Sequence, residues 1–196
     1  MDFFDLLSHR RSTRKFAERD VPRELIDKII LAANAAPVGS NLYCDLHLTV
    51  VRDREVLHKI AEAARFRMKD RETMRAITKT VLGQEDAPEK PMDPFYGAPV
   101  VIFVSHRRQD LQPGIEYCNV ASIVETMHLA ASELGLGSVF MWGSLEAMRV
   151  YPQFDNTHLL ALPENFEPLL GIAIGYAAED KGARELTTDK IGVNYV

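Results

Sequence analysis

Cysteine is scarce: the chain of 196 residues has two, Cys44 and Cys118. They lie far apart and form no Cys-x-x-Cys unit, which argues against a disulfide framework or a cysteine-based zinc site and suits a reducing compartment. Long hydrophobic runs are also missing. The longest, "APVVIFV" from Ala98, falls well short of the roughly 20 residues that a membrane-spanning helix needs. The amino-terminal "MDFFDLLSHRR" carries Asp2 and Asp5 where a signal peptide requires positive charge. A basic surplus is absent as well, since 23 Lys and Arg face 28 Asp and Glu for a net charge of -5. A general nucleic-acid binder needs the opposite balance to release counterions from phosphates. Together these absences predict a cytoplasmic protein with neither membrane nor nucleic acid as partner, in which any anion site is local.

What is present is the composition of an ordinary globular protein, 46% hydrophobic and 26% charged, and a length that suits one domain over residues 1–196. "DFFDLLSHRRS" reads as a short helix with Phe3, Phe4, Leu6 and Leu7 on its apolar side. In "DVPRELIDKIILAANAAP", Asp20 stands where it could cap and Pro22 near the first turn. Leu25, Ile26, Ile29, Ile30 and Ala33 then recur at helical spacing until Pro37. The β-branched run from Leu46 to Val51 reads as a strand and "REVLHKIAEAARF" as a helix with Glu55 and His58 facing out. Residues 67–97 are polar and rich in proline, and predict a short helix around Glu72 to Val81 followed by a long connection of the kind that forms lids.

"PVVIFVS" and "PLLGIAIGYAA" are continuous apolar runs of the doubly buried type of strand. Between them lies the longest helical stretch, "IEYCNVASIVETMHLAASEL", with Val120, Ile123, Val124, Met127, Ala131 and Leu134 in one stripe. It is apolar on other sides too, which places it centrally or in a subunit interface. "GSVFMWG" reads as a short strand or turn and "SLEAMRVY" as a short helix; the last twenty residues show no period. Strands alternating with dominant helices predict an α/β protein built as an α+β sandwich.

The basic cluster "HRRSTRKF" stands out in an acidic chain. Guanidinium forks match phosphate oxygens bidentately, and Ser or Thr hydroxyls complete such a site; a solvated charged turn has the same composition. Gly135 and Gly137 form Gly-x-Gly, but a helix precedes them and Phe140 stands where a dinucleotide fingerprint requires its third glycine, so they read as a helix C-cap and turn. Glu-x-x-His occurs at Glu55–His58 and Glu125–His128, the unit from which di-iron bundles are built. The interleaved strands argue against that use, and solvated helix faces are the expectation for both pairs. Cys118, inside an apolar helix, is expected to be inert.

Four segments taken in order, "RRSTRKF", "AAPVGSN", "ELGLGSVFMWG" and "LLGIAIGYAAED", resemble those of the nitroreductase-like family of FMN-dependent oxidoreductases, and the likeness runs over nearly the whole chain. It implies a nitroreductase-like fold, a central mostly antiparallel sheet flanked by helices, and a homodimer with a long interface helix and a flavin site at the interface. It implies that Arg10, Ser12 and Arg14, with Arg11, hold the FMN phosphate and ribityl chain, and that Arg184 returns to that phosphate. Pro37, Val38, Gly39 and Asn41 would approach the flavin from the partner subunit, and Met141, Trp142 and Gly143 would run along the isoalloxazine largely through backbone groups. Lys15 is expected to point to solvent. The implied reaction draws on NADH or NADPH and reduces a nitroaromatic, a quinone or a similar small acceptor. Hydride chemistry belongs to the cofactor, so no acid–base residue is nominated. An oxidase, a dehalogenase or a flavin-binding sensor on the same fold are the alternatives. This chain departs from the family pattern at Val38 and Gly39, where paired serines are usual, and at Leu42, Tyr43, Cys44 and Asp45, which replace x-Gln-Pro-Trp.

Overall fold

The computed structural model describes residues 2–69 and 93–196; the helix expected around Glu72 to Val81 and most of the connection after it lie outside them. Four strands form one antiparallel sheet in the order β1 (Leu46–Val51), β2 (Val100–Arg107), β4 (Phe166–Gly175) and β3 (Gly137–Met141). β2 and β4 are central and buried on both faces, which is why each is an unbroken apolar run in the sequence.

Side chains alternate across β2 and so divide the interior in two. Val100, Ile102 and Val104 pack with Ile26, Ile29 and Ala33 of helix α2 (Arg23–Asn34) and with Val120, Ile123, Val124 and Met127 of the long helix α4 (Ile115–Glu133). Val101 and Phe103 face the other way, onto Leu57 and Ile60 of α3 (Arg54–Ile60) and Leu145 and Met148 of α5 (Gly143–Val150). Each fully buried side chain of this size contributes about 1.5–3 kcal/mol. Helical backbone resumes after α3 at residues 62–69, and a short α1 (Phe3–His9) opens the chain. No helix among the described residues is long and apolar enough to cross a membrane.

Several local expectations are corrected. Asp20 does not cap α2: the helix starts after Pro22, with no side-chain cap, so Asp20 sits too early to reach the free amides. The apolar side of α1 is not buried, for Phe3 and Phe4 are 59% and 69% exposed. The reading of α4 as central or in a subunit interface is not contradicted: one face is buried, and Tyr117, Cys118, Ala121 and Glu125 on another are exposed in the single chain. The reading of Gly135 holds. Its φ of +72° is left-handed, and the amide of Leu136 donates to the carbonyl of Ala131 at 2.8 Å, closing α4 and turning the chain into β3.

Candidate functional site

The basic segment is stitched between the start of β3 and the end of β4. Ser12 forms a parallel bridge with Ser138, and the Thr13 amide donates to the Ser138 carbonyl at 2.9 Å. Further along, Phe16 pairs with Ala177, the Ala17 amide donates to Tyr176 at 2.8 Å, and the Ala178 amide donates to Lys15 at 3.0 Å. Thr13 is buried against Gly137, where a Cβ would lie 2.4 Å from the Thr13 hydroxyl oxygen. Only a glycine lets the two strands approach this closely.

The result is a cleft of about 460 Å³ whose walls include Arg10, Arg11, Thr13, Arg14 and Ser138. Arg10 and Arg11 are half-buried and Arg14 is exposed. Lys15 is turned to solvent, as expected, and pairs with the exposed Glu179 at 2.7 Å; that contact raises the lysine's pKa and lowers the carboxylate's. Arg184 reaches the same region from the tail. Its amide donates to Ser8 at 2.9 Å and its Nη2 to the Leu7 carbonyl at 3.4 Å, while its Nε is buried without a hydrogen-bond partner. Ser12 and Arg184 flank the cleft rather than line it.

Behind Arg10 sits a group that sequence reasoning misplaced. His128 is not on a solvated face: it is 2% exposed, and its Nδ1 lies 2.7 Å from the Ser138 hydroxyl. Burial, and then the charge of Arg10, push its pKa down to about 4, so the ring is neutral at pH 7. The available signal was its spacing, four residues beyond Val124 in the buried stripe. Glu55, His58 and Glu125 are exposed as expected, and no three His, Cys, Asp or Glu among the described residues gather to hold a metal ion.

β3 leads from this cleft to a second one, about 10 Å away over the three residues from Ser138 to Met141. There Met141 is buried, whereas Phe140, Trp142 and Gly143 are exposed around a cavity of about 360 Å³. Ala64, Met68 and Tyr96 line its other side, and an Arg67–Glu146 ion pair borders it. α5 begins here with no side-chain cap, which leaves its first amides as donors. Ser144 adds one more: it is 1% exposed, lines the cavity, and its Oγ has no partner. Nothing in the sequence singled out Ser144.

The remaining expected residues lie elsewhere in the chain. Val38 is buried and Pro37 and Asn41 are exposed at the opposite end of α4, where the Gly39 amide donates to Asn119 Oδ1 at 2.9 Å. From Asn119 to Ser132, which lines the basic cleft, the helix rises about 20 Å. One chain therefore gathers Arg10, Arg11, Ser12, Arg14 and Arg184, connects them through β3 to Met141, Trp142 and Gly143, and leaves the loop of residues 37–41 apart.

The model of the Nitroreductase family matches residues 7–176, and the chain belongs to that family. A protein of Methanothermobacter thermautotrophicus whose name carries NADH dehydrogenase/NAD(P)H nitroreductase is 34% identical over 193 residues, covering 95% of this chain and 83% of the relative. An iodotyrosine deiodinase of Haliscomenobacter hydrossis is 28% identical over 91% of this chain and 80% of its own. The crystal structure of a nitroreductase with bound FMN from Desulfitobacterium hafniense shares the fold at a TM-score of 0.77 and 24% identity, covering 98% of this chain and 97% of that one.

Proposed function

We propose that the protein is an FMN-dependent oxidoreductase, active as a homodimer, that uses NADH or NADPH to reduce a nitroaromatic, a quinone or a similar small acceptor. The observation that carries this reading is the pair of clefts joined by β3: guanidinium groups at one end, uncapped helix amides and exposed aromatic rings at the other. The residues fit the cofactor's chemistry. Arg10, Arg11 and Arg14 would hold the phosphate, with the orphaned Nε of Arg184 as a further donor nearby. Trp142, Gly143 and Ser144 would meet the ring, where the amides at the start of α5 and the Ser144 hydroxyl favour added electron density. FMN, when bound, supplies the reversible acceptance of hydride. The protein's own part is to bind it, orient it and exclude water.

Dimerisation is supported by two features. The outer face of α4 and the Phe3–Phe4 edge of α1 are bare in the single chain. A two-fold axis laying two α4 helices antiparallel would bring the loop of residues 37–41 from one copy to the basic cleft of the other. The test is direct: purified protein given FMN should hold one flavin per chain, elute as a dimer, and bleach at visible wavelengths with NADH or NADPH under anaerobic conditions. Failure to retain any flavin refutes the reading.

A second reading, reductive dehalogenation of an aromatic substrate at the same site, is favoured by the deiodinase relative and by the Phe140, Trp142 and Tyr96 lining. Halide release from a halogenated phenol, with no turnover of nitroaromatics, would select it.

A further inference from the structure

We infer that Asn119 and His106 are positioning residues for the flavin site, acting through the loop of residues 37–41; this rests on the function proposed above. His106 and Asn119 are 3% and 4% exposed, so their polar atoms must be satisfied from within. His106 Nδ1 lies 2.7 Å from the Arg107 carbonyl. A carbonyl only accepts, so Nδ1 carries the hydrogen and, in the neutral ring, Nε2 is an acceptor. Asn119 Nδ2, 3.3 Å away, donates to it. That fixes the amide, turning Oδ1 toward the Gly39 amide at 2.9 Å. The three bonds run one way, from Gly39 through Asn119 and His106 to the Arg107 carbonyl at the end of β2.

The loop requires such a tether. Ser40 and Asn41 have φ of +54° and +56°, a left-handed conformation that is unfavourable for non-glycine residues and persists only where the surroundings hold it. Next to them, a Cβ on Gly39 would lie 2.9 Å from Ile115 Cδ1 and 3.3 Å from Asn119 Oδ1. The glycine that replaces a usual serine here is thus matched to Asn119: the loop gives up a side chain and is held instead by its backbone against α4. Asn41, the loop residue expected to approach the partner's flavin, takes its attitude from this bond. Neither His106 nor Asn119 lines the basic cleft or the aromatic cavity, and the hydrogen-bonded route from them toward the flavin site runs through the loop.

The experiment uses the full chain. In the wild type, nitrogen NMR of His106 should show the Nδ1–H tautomer, and an Nε2–H tautomer overturns the proposal. In flavin-free protein, amide exchange of the Gly39 segment should accelerate at least tenfold in Asn119→Leu and His106→Leu and stay near wild type in His106→Gln, whose amide oxygen keeps an acceptor for Asn119. After FMN loading, the two leucine variants should shift the flavin's visible circular dichroism and reduction potential, and His106→Gln should restore both. Folded leucine variants with unchanged exchange, or with changed exchange and an unchanged flavin signature, overturn the positioning role. If both leucine variants fail to fold, the tautomer and the comparison of His106→Gln with wild type decide. A wild type that takes up no FMN sinks the functional reading instead, while the tautomer and exchange results still report on the tether.

Discussion

Substituting Gly137 by alanine is the sharpest probe of how the basic cleft is built. The backbone there is ordinary strand, so alanine pays no conformational penalty, and the whole effect is steric. The new methyl would meet Thr13 Oγ1 at 2.4 Å and Thr13 Cβ and Cγ2 at 2.9 Å, where carbon contacts relax at about 3.5–4.0 Å. Thr13 is buried and cannot swing away, so segment and strand must part by roughly 1 Å. That stretches the 2.9 Å bond from the Thr13 amide to Ser138 beyond useful range. Overpacking of this kind costs about 1–3 kcal/mol and the bond about 1 kcal/mol. Urea unfolding, with a slope of about 2 kcal/mol per M, should show the midpoint lowered by about 1–2 M. Because the same movement displaces Arg10 to Arg14, FMN retention should fall at least tenfold. Gly192→Ala, with no atom within 4 Å of the added carbon, is the control. A Gly137→Ala variant matching wild type in midpoint and flavin affinity would refute this account of the cleft.

Other expectations separate the roles of individual groups. Arg14→Ala should raise the dissociation constant of FMN roughly 10- to 100-fold, the worth of one charge-assisted bond, with little change in urea midpoint, whereas Lys15→Ala should leave flavin titrations unaltered. His128 is neutral when folded, with a pKa of about 4 against 6.5. The unfolded chain therefore binds the extra proton between those values, and stability falls as pH drops through that window, by up to roughly 3 kcal/mol. Replacing His128 by Gln should flatten this dependence in pH-resolved urea melts, and an unchanged slope would count against a buried neutral ring. Ser144→Ala removes an unpartnered buried hydroxyl. It should leave the flavin-free protein as stable or about 1 kcal/mol more so, and should lower the thermal gain on adding FMN; an equal gain in both proteins would detach Ser144 from the ring site.

Much of the fold was legible because burial on both faces writes itself into sequence. The runs from Val100 and Leu169 read as buried strands, and the stripe through Val120, Ile123, Val124 and Met127 as a helix lying centrally or in a subunit interface. Capping chemistry was legible at Gly135, where a left-handed residue was required, and misleading at Asp20, where proline set the start of α2. His128 was misread although its spacing placed it in the stripe, because a polar residue there reads as solvated unless its partner, Ser138, is known. Ser144 and Asn119 were invisible for the same reason: an orphaned or tethering polar group is defined by what surrounds it.

The sequence by itself determined the main helices and strands and the local basic cluster, which follow from side-chain periodicity and from neighbours in the chain, while the grouping of Arg184 with Arg10, Arg11 and Arg14 was an expectation that only the resemblance implied. Only the tertiary structure decided that β3 joins that cluster to Trp142 and Gly143, that Gly137 exists to admit Thr13, and that the loop of residues 37–41 stands at the far end of α4. Those relations depend on contacts between residues far apart in the chain, which packing imposes and no local pattern encodes.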